Sequence, residues 1–203
     1  MNKRPRRPAQ IDPEQVEYLT GEPDPAHSSE IAHASAQALI PTDSRQSIDD
    51  DVRARILELI HEEGIDLIAE SWVRSPSDTL GGVLWRGYLL KEWIRREPSD
   101  VEQRFAAGSA MLAEAGKGAP PWTPDEIKNR WDVVFEGKGS EGFQELLRDS
   151  AYFAQFLGDL DPVWIASDNH ELATEVTRRN NALHETAKEM SVGSVAFGEG
   201  RLD

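Results

Sequence analysis

Two E-x-x-H pairs, Glu30–His33 and Glu58–His61, are residues whose types and spacing could do chemistry. On a helix, positions i and i+3 share a face, and a carboxylate beside an imidazole suits iron or manganese. A bundle site of that kind also needs two bridging glutamates on facing helices, and none can be assigned. With five histidines and 37 acidic residues, such spacing also arises by chance. The run Glu58-Leu-Ile-His61-Glu-Glu63 reads as a wet helix end. Ordinary helix surface is therefore the expected role of all four, and no cofactor is expected.

A second constellation could hold an anion. Arg74, Ser75, Ser77 and Thr79 precede Gly81 and Gly82, and Arg86 follows. The first N–H groups of a helix lack intrahelical partners and attract phosphate or carboxylate, and Arg74 and Arg86 would add charge. The Gly-Lys-Ser/Thr ending and preceding strand of a P-loop are both missing. Gly81, Gly82 and Gly87 in one helix cost about 1 kcal/mol each relative to Ala. Each therefore calls for a close neighbour or a ligand. A cap with tight helix–helix packing explains them without any ligand.

The remaining chemistry is sparse. His170-Glu171 and Asn180-Asn-Ala-Leu-His184-Glu185 fall on one expected helix. His184 could serve as a general base in a cleft, but no Gly-x-Ser-x-Gly elbow accompanies it, and a surface histidine is the simpler reading. The chain has no cysteine, so disulfides, thiolate zinc sites and cysteine catalysis are excluded within it. Arg86, Lys91, Arg95 and Arg96 spread around their helix and do not form the single stripe that groove binding needs. Nucleic acid is not an expected partner, apart from weak phosphate contacts through Lys3, Arg4, Arg6 and Arg7.

The 203 residues carry a net charge of −15. It is unevenly spread: +4 over residues 1–7, −12 over 8–71, +1 over 72–104 and −8 over 105–203. Such a field repels nucleic acid over most of the surface. It fits a solvated acidic exterior, or a face that docks a basic partner or imitates DNA. No apolar stretch approaches the ~20 residues of a membrane span. The basic opening is followed by no apolar core, so it is not expected to be a signal peptide, and the cytoplasm is the expected compartment.

The elements that must position these residues are all helical. Ser28 to Leu39 could form a short helix, stopped before Pro41. Ser47 with Asp50 resembles a capping-box start, and Ile48, Val52, Ile56, Leu59 and Ile60 then share a face until Gly64. Ile65, Ile68 and Trp72 extend a further short helix toward Pro76. A strongly apolar helix from about Asp78 to Glu97 carries Trp85, Leu89 and Trp93 at i, i+4 and i+8, and is the expected central one. Ser99 with Glu102 reads as a capping box, with Gly116 as the terminator. Thr123-Pro-Asp-Glu126 is the strongest start signal, combining a Thr cap, Pro at the first helical position and Glu at the third. Ser140 opens a helix burying Phe143, Leu146, Leu147, Phe153 and Leu157, closed by Gly158. Asp168 with Glu171 begins the last, running to about Met190.

No alternating strand pattern and no hairpin turn is present. The expected fold is all-α, a compact orthogonal or bundle-like array of seven to eight helices with no sheet. Residues 1–26 are expected to be a disordered tail, 27–190 a single helical domain, and 191–203 a mobile Gly-rich tail. Trp85, Leu89, Trp93, Phe105, Trp131, Phe153 and Leu157 are the expected core. With no complete catalytic constellation and six tryptophans, the leading expectation is a non-catalytic protein-interaction or regulatory module. Its partner would be another protein, with a basic one fitting the charge. The alternative is a helical metal- or anion-binding enzyme.

Overall fold

Helices begin and end where the local chemistry of caps and glycines directs. The computed structural model describes residues 25–42, 48–118, 120–139, 141–160 and 173–202, with side chains from 28 in the first segment and from 178 in the last. Among them are eight α-helices and no strand. They are α1 (Pro25–Leu39), α2 (Asp50–Glu63), α3 (Ile65–Trp72), α4 (Leu80–Arg96), α5 (Pro98–Glu114), α6 (Pro124–Phe135), α7 (Phe143–Gly158) and α8 (Ala173–Gly198). The tail 1–24, the basic residues Lys3, Arg4, Arg6 and Arg7, and His170 with Glu171 lie outside the described residues.

Several starts follow the sequence closely. At α6 the Thr123 hydroxyl accepts the Glu126 N–H while the Glu126 carboxylate takes the Thr123 N–H at 2.6 Å, a complete capping box. That backbone bond, followed by one from the Thr123 hydroxyl, holds the Glu126 carboxyl below the usual carboxylate range. Gly64 divides α2 from α3 at φ 88°, a backbone angle only glycine adopts cheaply. Other starts differ. Asp49 caps α2 by accepting the Asp51 N–H, while Ser47 lies outside the described residues. The Ser99–Glu102 box is not used, because Pro98 at the first turn starts α5 earlier, behind Glu97.

Helix α4 is central, packing against α1, α3, α5, α6, α7 and α8. The core around it is built on Trp72, Trp131, Phe143, Phe153 and Leu157, all essentially inaccessible to solvent. Its two innermost indoles are hydrogen-bonded. Trp72 Nε1 donates to Ser35 Oγ at 2.9 Å, and Trp131 Nε1 to Ser150 Oγ at 2.9 Å. Arg104, 2% exposed, donates to the carbonyls of Leu157 and Leu160 and to Asn180 Oδ1. A buried cation at the carbonyl end of α7 suits the negative pole of that helix.

Two expectations about burial are overturned. Leu89 is 47% exposed, whereas Trp85, Trp93 and Phe105 are partly buried and pack against the core. The neighbours of α4 cover Val83, Gly87, Leu90 and Ile94 most fully, leaving Trp85 and Trp93 at the core's edge and Leu89 outside. The expected mobile tail 191–203 is also corrected. Helix α8 continues to Gly198, burying Ser194 and Ala196, and Leu202 beyond it is 3% exposed. The Phe197 ring meets Phe143 edge-on at 5.1 Å. Glycine does not signal mobility there. Gly193 is instead a contact point, because a Cβ at that position would lie 2.8 Å from Val83 Cγ2.

Candidate functional site

A pocket of about 260 Å³ opens where α1, the end of α3 and the start of α4 converge. It gathers Arg74, Ser75 and Thr79 from the candidate anion set and His33 from the candidate metal set. Ser28, Ser71 and Gly81 also line it.

The turn between α3 and α4 builds one wall. The Ser75 N–H donates to the Trp72 carbonyl at 2.9 Å, and the Thr79 hydroxyl to that of Pro76 at 2.8 Å. The same hydroxyl accepts the Gly82 N–H at 3.1 Å, capping α4. A Cβ on Gly82 would overlap the Pro76 carbonyl, so this glycine serves the tightness of the turn. Gly87 likewise serves packing, beneath Trp131. Gly81 differs. A Cβ there would stand 3.1 Å from Ser75 Oγ and 3.2 Å from Trp72 Cδ1, crowding the pocket floor.

The pocket's lining is donor-rich, and among the described residues no carboxylate is part of it. His33 Nε2 is shielded from solvent and has no hydrogen-bond partner. Two members of the expected anion set are absent. Ser77 does not line the pocket. Arg86 turns toward α8, with Nε 2.6 Å from Glu189 Oε2 and Nη1 donating to the Gly82 carbonyl at 3.0 Å. Its charge is therefore spent on a helix–helix tie.

The alternative metal quartet does not assemble. Glu58 and His61 stand exposed on α2, and Glu30 is exposed on α1 while His33 lines the pocket. Among the described residues no group of three or more His, Asp or Glu is placed to hold a metal ion. His184 covers Gly158 and lies 3.6 Å from Asp159 Oδ1 at the end of α7. Its neighbour Asn180 is taken up by Arg104.

The outer face of α4 is the second feature. Trp85, Leu89 and Trp93 form an apolar stripe along it, with Trp85 stacked on Tyr88 at 5.5 Å and the Trp93 Nε1 donating to Glu97. Charged residues flank it. Glu92, 7% exposed, binds Arg95, Arg96 and Lys91. The Arg95 hydrogen bond, aided by Lys91 and opposed by burial, brings the Glu92 carboxyl down to about 2. Burial, then the hydrogen bond to Asp66, pushes the Tyr88 hydroxyl up to about 12. Lys91 also contacts Asp132 at 3.5 Å and lies over the Tyr88 and Phe135 rings. The basic residues of α4 are thus paired within the protein.

No helix among the described residues is long and apolar enough to cross a membrane. No known protein family, curated protein or solved structure matches the chain significantly.

Proposed function

We propose that the protein is a non-catalytic interaction module that docks a partner protein on the outer face of α4. The observation that carries this reading is Leu89. It is a large apolar side chain 47% exposed between two half-buried tryptophans, on the helix that organises the whole core. Tryptophan is the residue type most enriched among interface anchors, and a rigid helix presents it at low entropic cost. The charge chooses the partner. Asp50, Asp51, Glu58, Glu62 and Glu63 are all exposed on α2, and the chain as a whole carries −15. A basic partner with an apolar anchor would be steered in by that field and held by the stripe.

The test compares immobilised wild-type protein with Leu89→Glu. Because Leu89 is exposed, its replacement should leave the melting temperature nearly unchanged. A basic protein retained by the wild type and lost by Leu89→Glu is the expected result. Its capture should weaken between about 50 and 500 mM salt, as screening shortens the reach of charge. Identical capture by both forms would remove the α4 face from the reading.

A further inference from the structure

We infer that α8 is the positioning element of the α4 docking face, an inference that rests on the docking reading above. Arg179, acting through Glu97, holds the Trp93 indole in the orientation that a partner meets.

Glu97 stands at the corner between α4 and α5. Its N–H bonds the Trp93 carbonyl and its own carbonyl takes the Val101 N–H, so its backbone is held from both sides. At φ −125° and ψ 50° it belongs to neither helix, and Pro98 follows in the first turn of α5. The direction of its side chain is what remains to be set. One carboxylate oxygen, Oε2, accepts from Trp93 Nε1 at 3.2 Å and meets Arg179 Nη1 at 2.9 Å. The other, Oε1, accepts from Arg179 Nη2 at 3.3 Å. The guanidinium therefore grips both oxygens, and a planar fork fixes the direction of a carboxylate as well as balancing its charge.

Arg179 is what keeps Glu97 beside the indole. Its Nη1 also donates to Asp100 Oδ2 at 3.4 Å, so one cation stands between two carboxylates. Without that cation Glu97 and Asp100 would repel each other. The Glu97 side chain is 41% exposed and would turn into water, leaving the Trp93 N–H without its acceptor. An untethered indole samples several rotamers, and a partner must then immobilise it at an entropic cost.

The alignment of α8 with α4 is itself specified by charge. Arg86, next to Trp85 in sequence, donates to Glu189 of α8. At the other end of the stripe the polarity is reversed, with the anion on α4's side and the cation on α8. Glu97 lies eleven positions after Arg86, and Glu189 ten after Arg179. At about 1.5 Å per residue the two antiparallel spans match to within about 2 Å. Running α8 the other way would set Arg86 against Arg179 and Glu97 against Glu189. The contact of Gly193 with Val83 continues the same antiparallel alignment. Helix α8 is thus pinned along the stripe from Trp85 to Trp93.

The experiment reads the six indole N–H signals of the ¹⁵N-labelled full chain by NMR, with the Trp93 signal assigned through Trp93→Phe. In Arg179→Gln the Trp93 signal should move and exchange faster with water, while the Trp72 and Trp131 signals stay in place. Arg179→Lys, which keeps a cation beside Glu97 and Asp100, should restore most of the wild-type position. Glu97→Ala should move the Trp93 signal by itself, and adding Arg179→Gln to it should change nothing more. Both residues are partly exposed, so these variants should fold. An unmoved Trp93 signal in Arg179→Gln, or additive effects in the double variant, would overturn the inference. A protein captured through Leu89 should bind Arg179→Gln about three- to tenfold more weakly, and unchanged affinity would overturn the positioning role. The indole signals are read without a partner. Failure of the Leu89→Glu capture test would therefore strike the docking reading alone, and failure of the Trp93 shift the role of Arg179 alone.

Discussion

The six-membered ring of Trp131 lies over the bare α-carbon of Gly87, so closely that a methyl group there would overlap it. The indole is held in place by Ser150 on α7 and by stacking on Phe135 at 5.4 Å. Helices α4, α6 and α7 therefore meet at one point where a side chain on α4 has been dispensed with. Gly87→Ala should gain about 1 kcal/mol of helix propensity. Overpacking against a ring that cannot move should cost more, leaving a net loss of about 1–3 kcal/mol. Urea unfolding measures it. A stabilised variant would show that the ring has room to shift.

Acid should loosen the far end of α4 before it affects the rest. Glu92 has its carboxyl lowered from 4.5 to about 2, chiefly by Arg95. A carboxyl lowered on folding stabilises the folded state above its unfolded value. That contribution fades as pH falls from about 4.5 toward 2. Allowing for solvent around Arg95 and Arg96, the loss should be about 1–3 kcal/mol. Stability followed from pH 7 to pH 2 should fall less steeply in Glu92→Gln than in the wild type. Parallel curves for the two proteins would show that the Glu92 pairing contributes nothing.

The C-terminal segment should matter to stability as core does. Leu202 is 3% exposed, Ala196 is buried and Phe197 packs on Phe143. Leu202→Ala should cost about 2–5 kcal/mol, the range for large-to-small changes in a core. Removal of residues 191–203 should lower the melting temperature further. An unchanged melting temperature in both variants would mean that the segment is a tail after all.

What the chain determined by itself was local. The Thr123–Glu126 box and the stop at Gly64 each depend on groups within four residues of one another. The bonds that begin or end a helix are therefore written in short runs of sequence. The all-helical class followed from the apolar period in the same way. Tertiary structure decided which apolar side of α4 would be covered most fully, because Trp85–Leu89–Trp93 and Val83–Leu90–Ile94 are both apolar and only the docking of the surrounding helices leaves Leu89 exposed while burying Val83, Leu90 and Ile94. It also decided that Arg86 would answer Glu189, 103 residues away, and not an anion. His33 and Arg74 were both visible as chemistry but belonged to different readings. Only the packing of α1 against α3 and α4 places them in one pocket, since spacing along the chain carries no information about which helix faces will meet.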